Sequence, residues 1–264
     1  MFLSLPPFWA SWLPASSDHS LTCPDDSISF FPLFSTSGLA HSLRGALGVA
    51  IAPQPSKPAE LRIDVQTGVD AIGQELQSLH GRLHTPGDSM HGIERLGFLK
   101  DPRFAVHYRE ADGEKYVYIE DLREQRLAGY TVFNRLIEIN KRADRLLRAP
   151  HTKFAPEYQR RGLATAVYRW ALDGGQCLMT GARQSSGAHA LWDRLAREYG
   201  QGYVYLQDKT VTYLGAEVED ERLLDDLNTR RILLGQGWSM QGLAEAACMR
   251  GAPRAMLETE DALA

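Results

Sequence analysis

The sequence predicts an α+β protein of the α/β three-layer type, with a mixed, mostly antiparallel central sheet flanked by helices. Two observations carry this prediction. Strand-like runs follow one another between residues 104 and 133, and Asp112-Gly113, a strong hairpin-turn signal, joins the first two of them. Further along, amphipathic helical runs open near position 160 and after Ser185 or Ser186, each after a short apolar strand-like segment. Antiparallel strands followed by strand–helix units indicate a sheet covered by helices.

Length and composition fit a globular chain and limit its partners. The 264 residues are 44% hydrophobic, which is enough for a packed core. A net charge of −4 gives no basic field for nucleic acid, and no apolar run reaches the roughly 20 residues that a membrane span needs. Cys23, Cys177 and Cys248 are scattered and odd in number, which favours reduced thiols and a cytoplasmic location.

Composition divides the chain into three segments. Residues 1–59 are rich in Pro, Ser and aromatic residues and show no lasting period, so we expect a poorly ordered extension. The same segment could instead dock on the domain or on a partner, or serve as a secretion or targeting tail. Residues 60–216 carry the strand and helix patterns. Residues 217–264 contain two helical runs separated by glycines, which predicts a C-terminal helical appendage that packs on the domain or forms a homodimer contact.

The segment before the central strands combines a strand and a helix. Leu61–Val65 alternates as a strand does, and apolar residues recur at helical spacing over about 68–83. His80 and His84 lie four residues apart on this helix and could in principle bind a metal, with His91 beyond. No glutamate is inserted between them and no cysteine is near, so we expect solvent-facing histidines and no metal.

The remaining elements are expected in the order of strands, helix, strand, helix and hairpin. Asp173-Gly174-Gly175 ends the first of these helices, and Ser185 or Ser186 caps the second. The predicted strands are Phe104–Tyr108, Tyr116–Ile119, Leu127–Phe133, 145–154, Gln176–Thr180, Gly202–Leu206 and Thr210–Leu214.

The segment Gln159-Arg160-Arg161-Gly162-Leu163-Ala164 joins the fourth of these strands to an amphipathic helix. The first turn of a helix leaves backbone N–H groups without intrahelical partners, and the macrodipole adds about half a positive charge there. Small residues at 162 and 164 let a ligand approach the backbone, and the two arginines add positive charge. The pattern therefore predicts an anion site at this helix start.

This segment resembles motif A of the GNAT acetyltransferase superfamily, in which Gln/Arg-x-x-Gly-x-Gly/Ala binds the pyrophosphate of an acyl-coenzyme A. Gln159, Gly162 and Ala164 match that pattern position by position. The resemblance covers residues 60–216 and implies acetyl-CoA, or another acyl-CoA, as co-substrate. It also implies that the strand before the motif diverges from its neighbour and pairs with the pantetheine arm. The implied cofactor-binding residues are Thr152, Lys153, Phe154, Gln159, Arg160, Arg161, Gly162, Leu163, Ala164 and Thr165.

The resemblance leaves the acid and the base of the reaction open. The second helix is similar to motif B, but Trp192 stands where that motif usually has a tyrosine that protonates the departing thiolate. An indole N–H cannot supply that proton near neutrality. Tyr199 is the first candidate for the acid, with Tyr130 and Tyr203 as further ones, and departure of a free thiolate is also open. The base candidates are His151, Glu138, Asp144 and Glu120, of which His151 titrates nearest neutrality.

Cys177 is a weaker candidate for an acyl-carrying nucleophile. It falls in an apolar strand, where a cysteine is usually a small core residue.

Together these observations predict an acyl-CoA-dependent N-acyltransferase that moves an acetyl group to the amine of a small molecule or a protein. The alternative is a catalytically silent GNAT-fold protein that binds CoA or a partner, which Trp192 motivates. A further alternative is an exported effector acetyltransferase whose N-terminal extension is the export signal.

Overall fold

A computed structural model of the chain describes residues 69–251, and these residues belong to one compact unit. The predictions for residues 1–59 and for the strand Leu61–Val65 lie outside the described residues. The helices are α1 (Val69–His84), α2 (Lys141–Leu146), α3 (Leu163–Asp173), α4 (Ser186–Leu195), α5 (Glu221–Asp225) and α6 (Met240–Ala246). The strands are β1 (Glu94–Leu96), β2 (Phe104–Ala111), β3 (Glu114–Asp121), β4 (Arg126–Asn134), β5 (Leu147–Phe154), β6 (Cys177–Met179), β7 (Gln201–Gln207), β8 (Thr210–Gly215) and β9 (Thr229–Leu233).

Within the described residues the strands form one mixed sheet in the order β1-β2-β3-β4-β5-β6-β9-β7-β8. Every neighbouring pair is antiparallel except β5 and β6, which run parallel. Asp112 and Gly113 have φ of 55° and 76°, the conformation that a two-residue hairpin turn requires. The predicted mixed, mostly antiparallel sheet and the predicted hairpin are confirmed.

Helices cover both faces of the sheet, which gives the predicted three layers. On one face, here called the α1 face, α1 packs through Leu76 and Leu83 against a core that includes Tyr118 and Tyr130. On the opposite α3 face, the ring of Tyr168 in α3 packs against Phe133 at 6.2 Å between centroids. Side chains alternate between these faces along each strand, so neighbouring residues of one strand serve different layers.

The expected helical appendage over residues 217–264 is corrected by β9. Thr229–Leu233 lies inside the sheet, where Ile232 pairs with Met179 of β6 and with Gly202 of β7. Arg230 and Arg231 interrupt the apolar pattern by which this strand could be predicted from the sequence. The charge of Arg231 meets a tertiary partner, since its guanidinium donates to the Asp193 carboxylate in α4 at 2.7 Å. The helices α5 and α6 do follow residue 217, so the prediction is wrong only in treating the segment as separate from the sheet.

No helix among residues 69–251 has the length and apolar character needed to cross a membrane.

Gly129 in β4 allows β4 and β5 to approach closely. A Cβ atom at this position would lie 2.3 Å from the Phe154 ring and 2.5 Å from the backbone carbonyl oxygen of Lys153. We therefore expect Gly129→Ala to lower the free energy of unfolding by about 2 kcal/mol in urea titrations. Gly73→Ala is the control, because Gly73 is exposed in α1 with open space around it. That change should raise the free energy by roughly 0.5–1 kcal/mol. Equal effects would contradict the close approach.

Candidate active site

The parallel pair β5 and β6 separates soon after it begins. The two strands pair only at Leu147 with Cys177 and at Arg148 with Leu178, although β5 continues to Phe154. On its other side β5 stays paired with β4 from Ala149 to Phe154. The sheet therefore contains a gap along one edge of β5, and the gap opens toward the loop that leads into α3.

The register of β5 determines which backbone groups face this gap. The Ala155 N–H donates to the Ala128 carbonyl at 3.0 Å, so residue 155 is directed toward β4. Directions alternate along an antiparallel strand, which turns the backbone N–H and C=O groups of Thr152 and Phe154 toward the gap. Pro150 has the same direction, and its missing N–H removes one donor from that edge. The gap thus offers backbone donors and acceptors for an extended ligand.

The start of α3 lies at the open end of the gap. Arg160 and Gly162 have positive φ of 57° and 80°, and an alternation of this kind turns successive N–H groups into an anion-binding concavity. The Ala166 N–H donates to the Gly162 carbonyl, so the N–H groups of residues 163–165 precede the helical hydrogen bonds. Open space surrounds Gly162, which is exposed.

Cationic side chains surround this helix start. Lys100, Arg103 and Arg161, together with Gly162, line a cavity of about 340 Å³ between the β1–β2 loop and α3. The Gln159 side chain has a different role, because its amide donates to the Phe154 carbonyl at 3.0 Å and ties the loop to the end of β5. The site therefore combines backbone donors, the helix dipole and the charges of Lys100 and Arg161 for an anionic ligand, although Asp101 also lines the cavity.

A buried carboxylate holds the loop before α3 in place. Asp121 accepts hydrogen bonds from the Arg103 guanidinium, at 2.8 Å from Nε, and from the Tyr158 hydroxyl at 2.7 Å. Asp121 has no exposed surface, and the Arg103 guanidinium, followed by the Tyr158 hydroxyl, holds the pKa of its carboxyl well below the ordinary value. The carboxylate is therefore ionised under ordinary conditions and fixes Tyr158 within the loop.

A second group of polar side chains lies on the α1 face of β5. Glu75 of α1 accepts from the Tyr130 hydroxyl at 2.6 Å and from Lys153 Nζ at 2.8 Å. Partial burial alone would raise the pKa of Glu75, but the hydrogen bonds from Lys153 and Tyr130 outweigh it and lower that pKa. His151 is on the same strand and face, and burial, aided by the Lys153 charge, lowers its pKa. A carboxylate from α1 and the His151 imidazole are thus both on the α1 face of the strand that borders the gap.

The other predicted catalytic residues lie elsewhere. Glu138 is in the loop after β4, next to Ile139, which bridges to Lys209 at the β7–β8 turn. Tyr199 donates its hydroxyl to the Asp173 carboxylate at 2.6 Å, at the end of α3 opposite to Gly162 and about 16 Å from it along the helix. The structure therefore brings neither residue to the start of α3.

Three more candidates have structural partners. Asp144 accepts from the Arg135 guanidinium and from the Leu136 N–H, which stabilises the turn before α2. Cys177 is fully buried, and burial raises the pKa of its thiol to about 12, as expected of a core cysteine. The ring of Tyr203 packs beneath the Arg231 guanidinium at 5.9 Å.

Trp192 is a core residue, and a tyrosine beside it was missed in the sequence. Trp192 is 2% exposed and meets the ring of Tyr168 edge to face at 6.4 Å. The Tyr168 hydroxyl accepts from Thr152 Oγ1 at 3.4 Å, on the strand that borders the gap. Burial raises the pKa of Tyr168 to about 12, so its hydroxyl keeps its proton. Tyr168 was concealed because its spacing in α3 is that of a core position.

The expectation of solvent-facing histidines on α1 is corrected. His80 and His84 both direct Nε2 to Oε1 of Glu120, at 3.1 and 2.7 Å, and His107 of β2 contacts Oε2 of the same carboxylate at 2.7 Å. The sequence places Glu120 about 40 residues after the helical pair, so only the packing of α1 on the sheet brings these groups together. Both carboxylate oxygens of Glu120, a predicted base candidate, are therefore in contact with imidazoles.

The buried ion pair of Asp121 gives a pH-dependent prediction. We expect Asp121→Asn to lower the free energy of unfolding by about 2 kcal/mol at pH 7, because Arg103 loses its charged partner. A pKa that is lowered on folding contributes stability above the unfolded value near 3.9, and this contribution is lost as the pH falls through the folded value. The difference between the two proteins in urea titrations should therefore shrink below pH 4.

Asp88→Asn is the matched control, since Arg82 holds Asp88 through two hydrogen bonds at the surface. Asp88→Asn should lower the free energy of unfolding much less than Asp121→Asn does. A difference between wild type and Asp121→Asn that stays constant from pH 7 to pH 3 would contradict the assigned role of the charge.

Comparisons with known proteins give matches only among solved structures. No protein-family model and no curated protein sequence matches the chain. Two of the solved structures that match are chimeras of spermidine N-acetyltransferase SpeG from Vibrio cholerae and hSSAT. One is 19% identical with a TM-score of 0.27 and the other 20% identical with a TM-score of 0.28, and each match covers 47% of this chain and 68% of the other.

Superpositions of this quality carry no argument about activity. The observed elements themselves have the arrangement expected from the sequence: antiparallel strands, then β5, the loop over residues 155–162, α3 and the parallel strand β6. The chain therefore has a mixed α+β fold whose order of elements is the one that the resemblance implied.

Proposed function

We propose that this protein is an N-acyltransferase that moves an acyl group, acetyl in the first instance, from coenzyme A to an amine. The observation that carries the proposal is the gap between β5 and β6 with the start of α3 at its open end. An extended pantetheine arm needs backbone partners along its length, and a diphosphate needs anion-binding amides at one end. The backbone of Thr152 and Phe154 supplies the partners for the pantetheine arm, and the amides of residues 162–165 supply the donors for the diphosphate.

The side chains near β5 support a division of roles in acyl transfer. A neutral imidazole accepts a proton from an ammonium or amine acceptor, and the lowered pKa of His151 favours its neutral form. Glu75 adds a carboxylate that can attract a cationic amine. Tyr168 supplies a protonated hydroxyl for the departing thiolate, in place of the tyrosine that Trp192 replaces. In this proposal the backbone N–H groups facing the gap polarise the thioester carbonyl.

A second candidate function is CoA binding without chemistry. The burial of Trp192 in the core of the α3 face favours it, because this residue cannot act as an acid. Both candidates share the cofactor site and differ in turnover. Release of free CoA thiol across a panel of small amines, polyamines and lysine peptides separates them, and binding of CoA without any release in that panel would favour the second.

Gly162 provides the test of the shared cofactor site. At a hundredfold excess over Kd, acetyl-CoA should raise the Tm of the wild-type protein by roughly 5–10 °C. Gly162→Glu places a carboxylate where the diphosphate binds, and we expect the rise to disappear. Gly87→Glu is the matched control, since Gly87 has a φ of 87° and is also surrounded by open space. The control should keep the rise. Retention of the full rise in Gly162→Glu would contradict the proposed diphosphate site.

The proposed base predicts a pH profile. In wild type, kcat/KM should rise with pH around a midpoint below the ordinary histidine value of about 6.5, because burial lowers the pKa of His151. We expect His151→Gln to lower kcat by roughly 10²- to 10⁴-fold and to remove this rise, with the CoA-induced Tm shift unchanged. His91→Gln, in an exposed loop, is the control. An active His151→Gln variant with the wild-type profile would exclude His151 as the base.

A further inference from the structure

Three imidazoles and one carboxylate converge on the α1 face of the sheet, apart from the proposed cofactor site. The Nε2 atoms of His80 and His84 and an oxygen of Glu120 all lie within 4.8 Å of one another. The two histidines are four residues apart on α1, so they leave the helix on the same side, one turn apart. Glu120 comes from β3 and is 4% exposed in its side chain, whereas His84 is 51% exposed.

The donor atoms are spaced as they would be around one small cation. Zn²⁺ binds imidazole nitrogen and carboxylate oxygen at about 2.0–2.2 Å, which separates neighbouring donors in a tetrahedral site by about 3.3 Å. The observed separations from Glu120 Oε1 are 3.1 Å to His80 and 2.7 Å to His84. A slight outward movement of two partly exposed imidazoles would therefore admit the ion.

His107 completes the arrangement from the other side of the carboxylate. Its Nε2 contacts Oε2 of Glu120 at 2.7 Å, and its side chain is 7% exposed. Ligating carboxylates are commonly oriented by a hydrogen bond to the oxygen that does not face the metal, and such partners tune the affinity. One carboxylate can accept hydrogen bonds from all three imidazoles. Two imidazole ligands and one orienting partner also match a metal site with a carboxylate ligand.

We propose that His80, His84 and Glu120 bind a divalent first-row transition-metal ion, with Zn²⁺ as the reference ion, and that His107 positions the carboxylate. Two imidazoles and one carboxylate leave at least one coordination position open, and the exposed side of His84 gives the entry path. The bound ion would join the C-terminal half of α1 to β3. Arg95 of β1 is the backbone pairing partner of His107, and its positive charge lies near the proposed site. This charge opposes the binding of a cation.

The site can be tested independently of coenzyme A. Full-length protein is freed of metal with a chelator and titrated with Zn²⁺ in a calorimeter, and Co²⁺ is used as a visible-absorbing substitute. We expect one ion per chain, d–d absorption bands of nitrogen and oxygen coordination, and a rise in Tm with Zn²⁺. His80→Gln and His84→Gln should each weaken binding more than tenfold, and His107→Gln by about tenfold with the stoichiometry unchanged.

His189→Gln is the matched control, because His189 also contacts a carboxylate, Asp193 at 3.0 Å, but as a single imidazole on an exposed helix. It should leave the affinity unchanged. His84 is half exposed, so His84→Gln is expected to fold even if Glu120→Gln does not. Absence of stoichiometric Zn²⁺ binding would overturn the proposal, as would Zn²⁺ binding that is undiminished in His80→Gln and His84→Gln. Neither result affects the CoA-induced shift by which the proposed function is tested.

Discussion

The loss of pairing between β5 and β6 after two residue pairs is the constraint on which the candidate site depends. Backbone N–H and C=O groups inside a sheet normally meet a neighbouring strand, and groups left without one need another partner. Here the edge without a neighbouring strand belongs to Thr152 and Phe154, and the Phe154 carbonyl accepts from the Gln159 side chain. A ligand with amide groups in an extended chain is the natural occupant of such an edge, because it replaces the missing strand.

The start of α3 makes one end of this edge chemically different from the other. The chain leaves β5, passes through two residues of positive φ at 160 and 162, and enters α3, whose hydrogen bonds begin with the Ala166 N–H and the Gly162 carbonyl. The buried Asp121, held by Arg103 and Tyr158, fixes this loop relative to β2 and β3. One end of the gap is therefore suited to an anion, and the length of the gap is suited to an extended neutral chain. These match the diphosphate and the pantetheine arm of coenzyme A.

The alternation of β5 separates binding from the proposed chemistry. The backbone of Thr152 faces the gap and its side chain meets Tyr168 on the α3 face, while His151 and Lys153 point to Glu75 on the α1 face. One strand thus lies between the cofactor groups and the groups proposed to handle the amine. The histidine cluster around Glu120 is on the same α1 face, so α1 contributes to both groups of polar residues.

The sequence revealed what is encoded locally. The Asp-Gly hairpin, the cap Ser185 of α4 and the loop before α3 each depend on a few adjacent residues, and the structure has all of them. Features that depend on distant residues were not predictable. The strand β9 contains two adjacent arginines, of which Arg231 meets its carboxylate partner in α4. Glu75 meets Tyr130 and Lys153 only after α1 packs on the sheet. The His80 and His84 pair was visible, but its carboxylate was not.

A crystal structure of the protein with acetyl-CoA tests the central claim most directly. The account predicts pantetheine hydrogen-bonded to the backbone of Thr152 and Phe154 between β5 and β6, with the diphosphate on the amides of residues 162–165. A gap closed by protein side chains, or a coenzyme bound elsewhere while this gap stays empty, would contradict it.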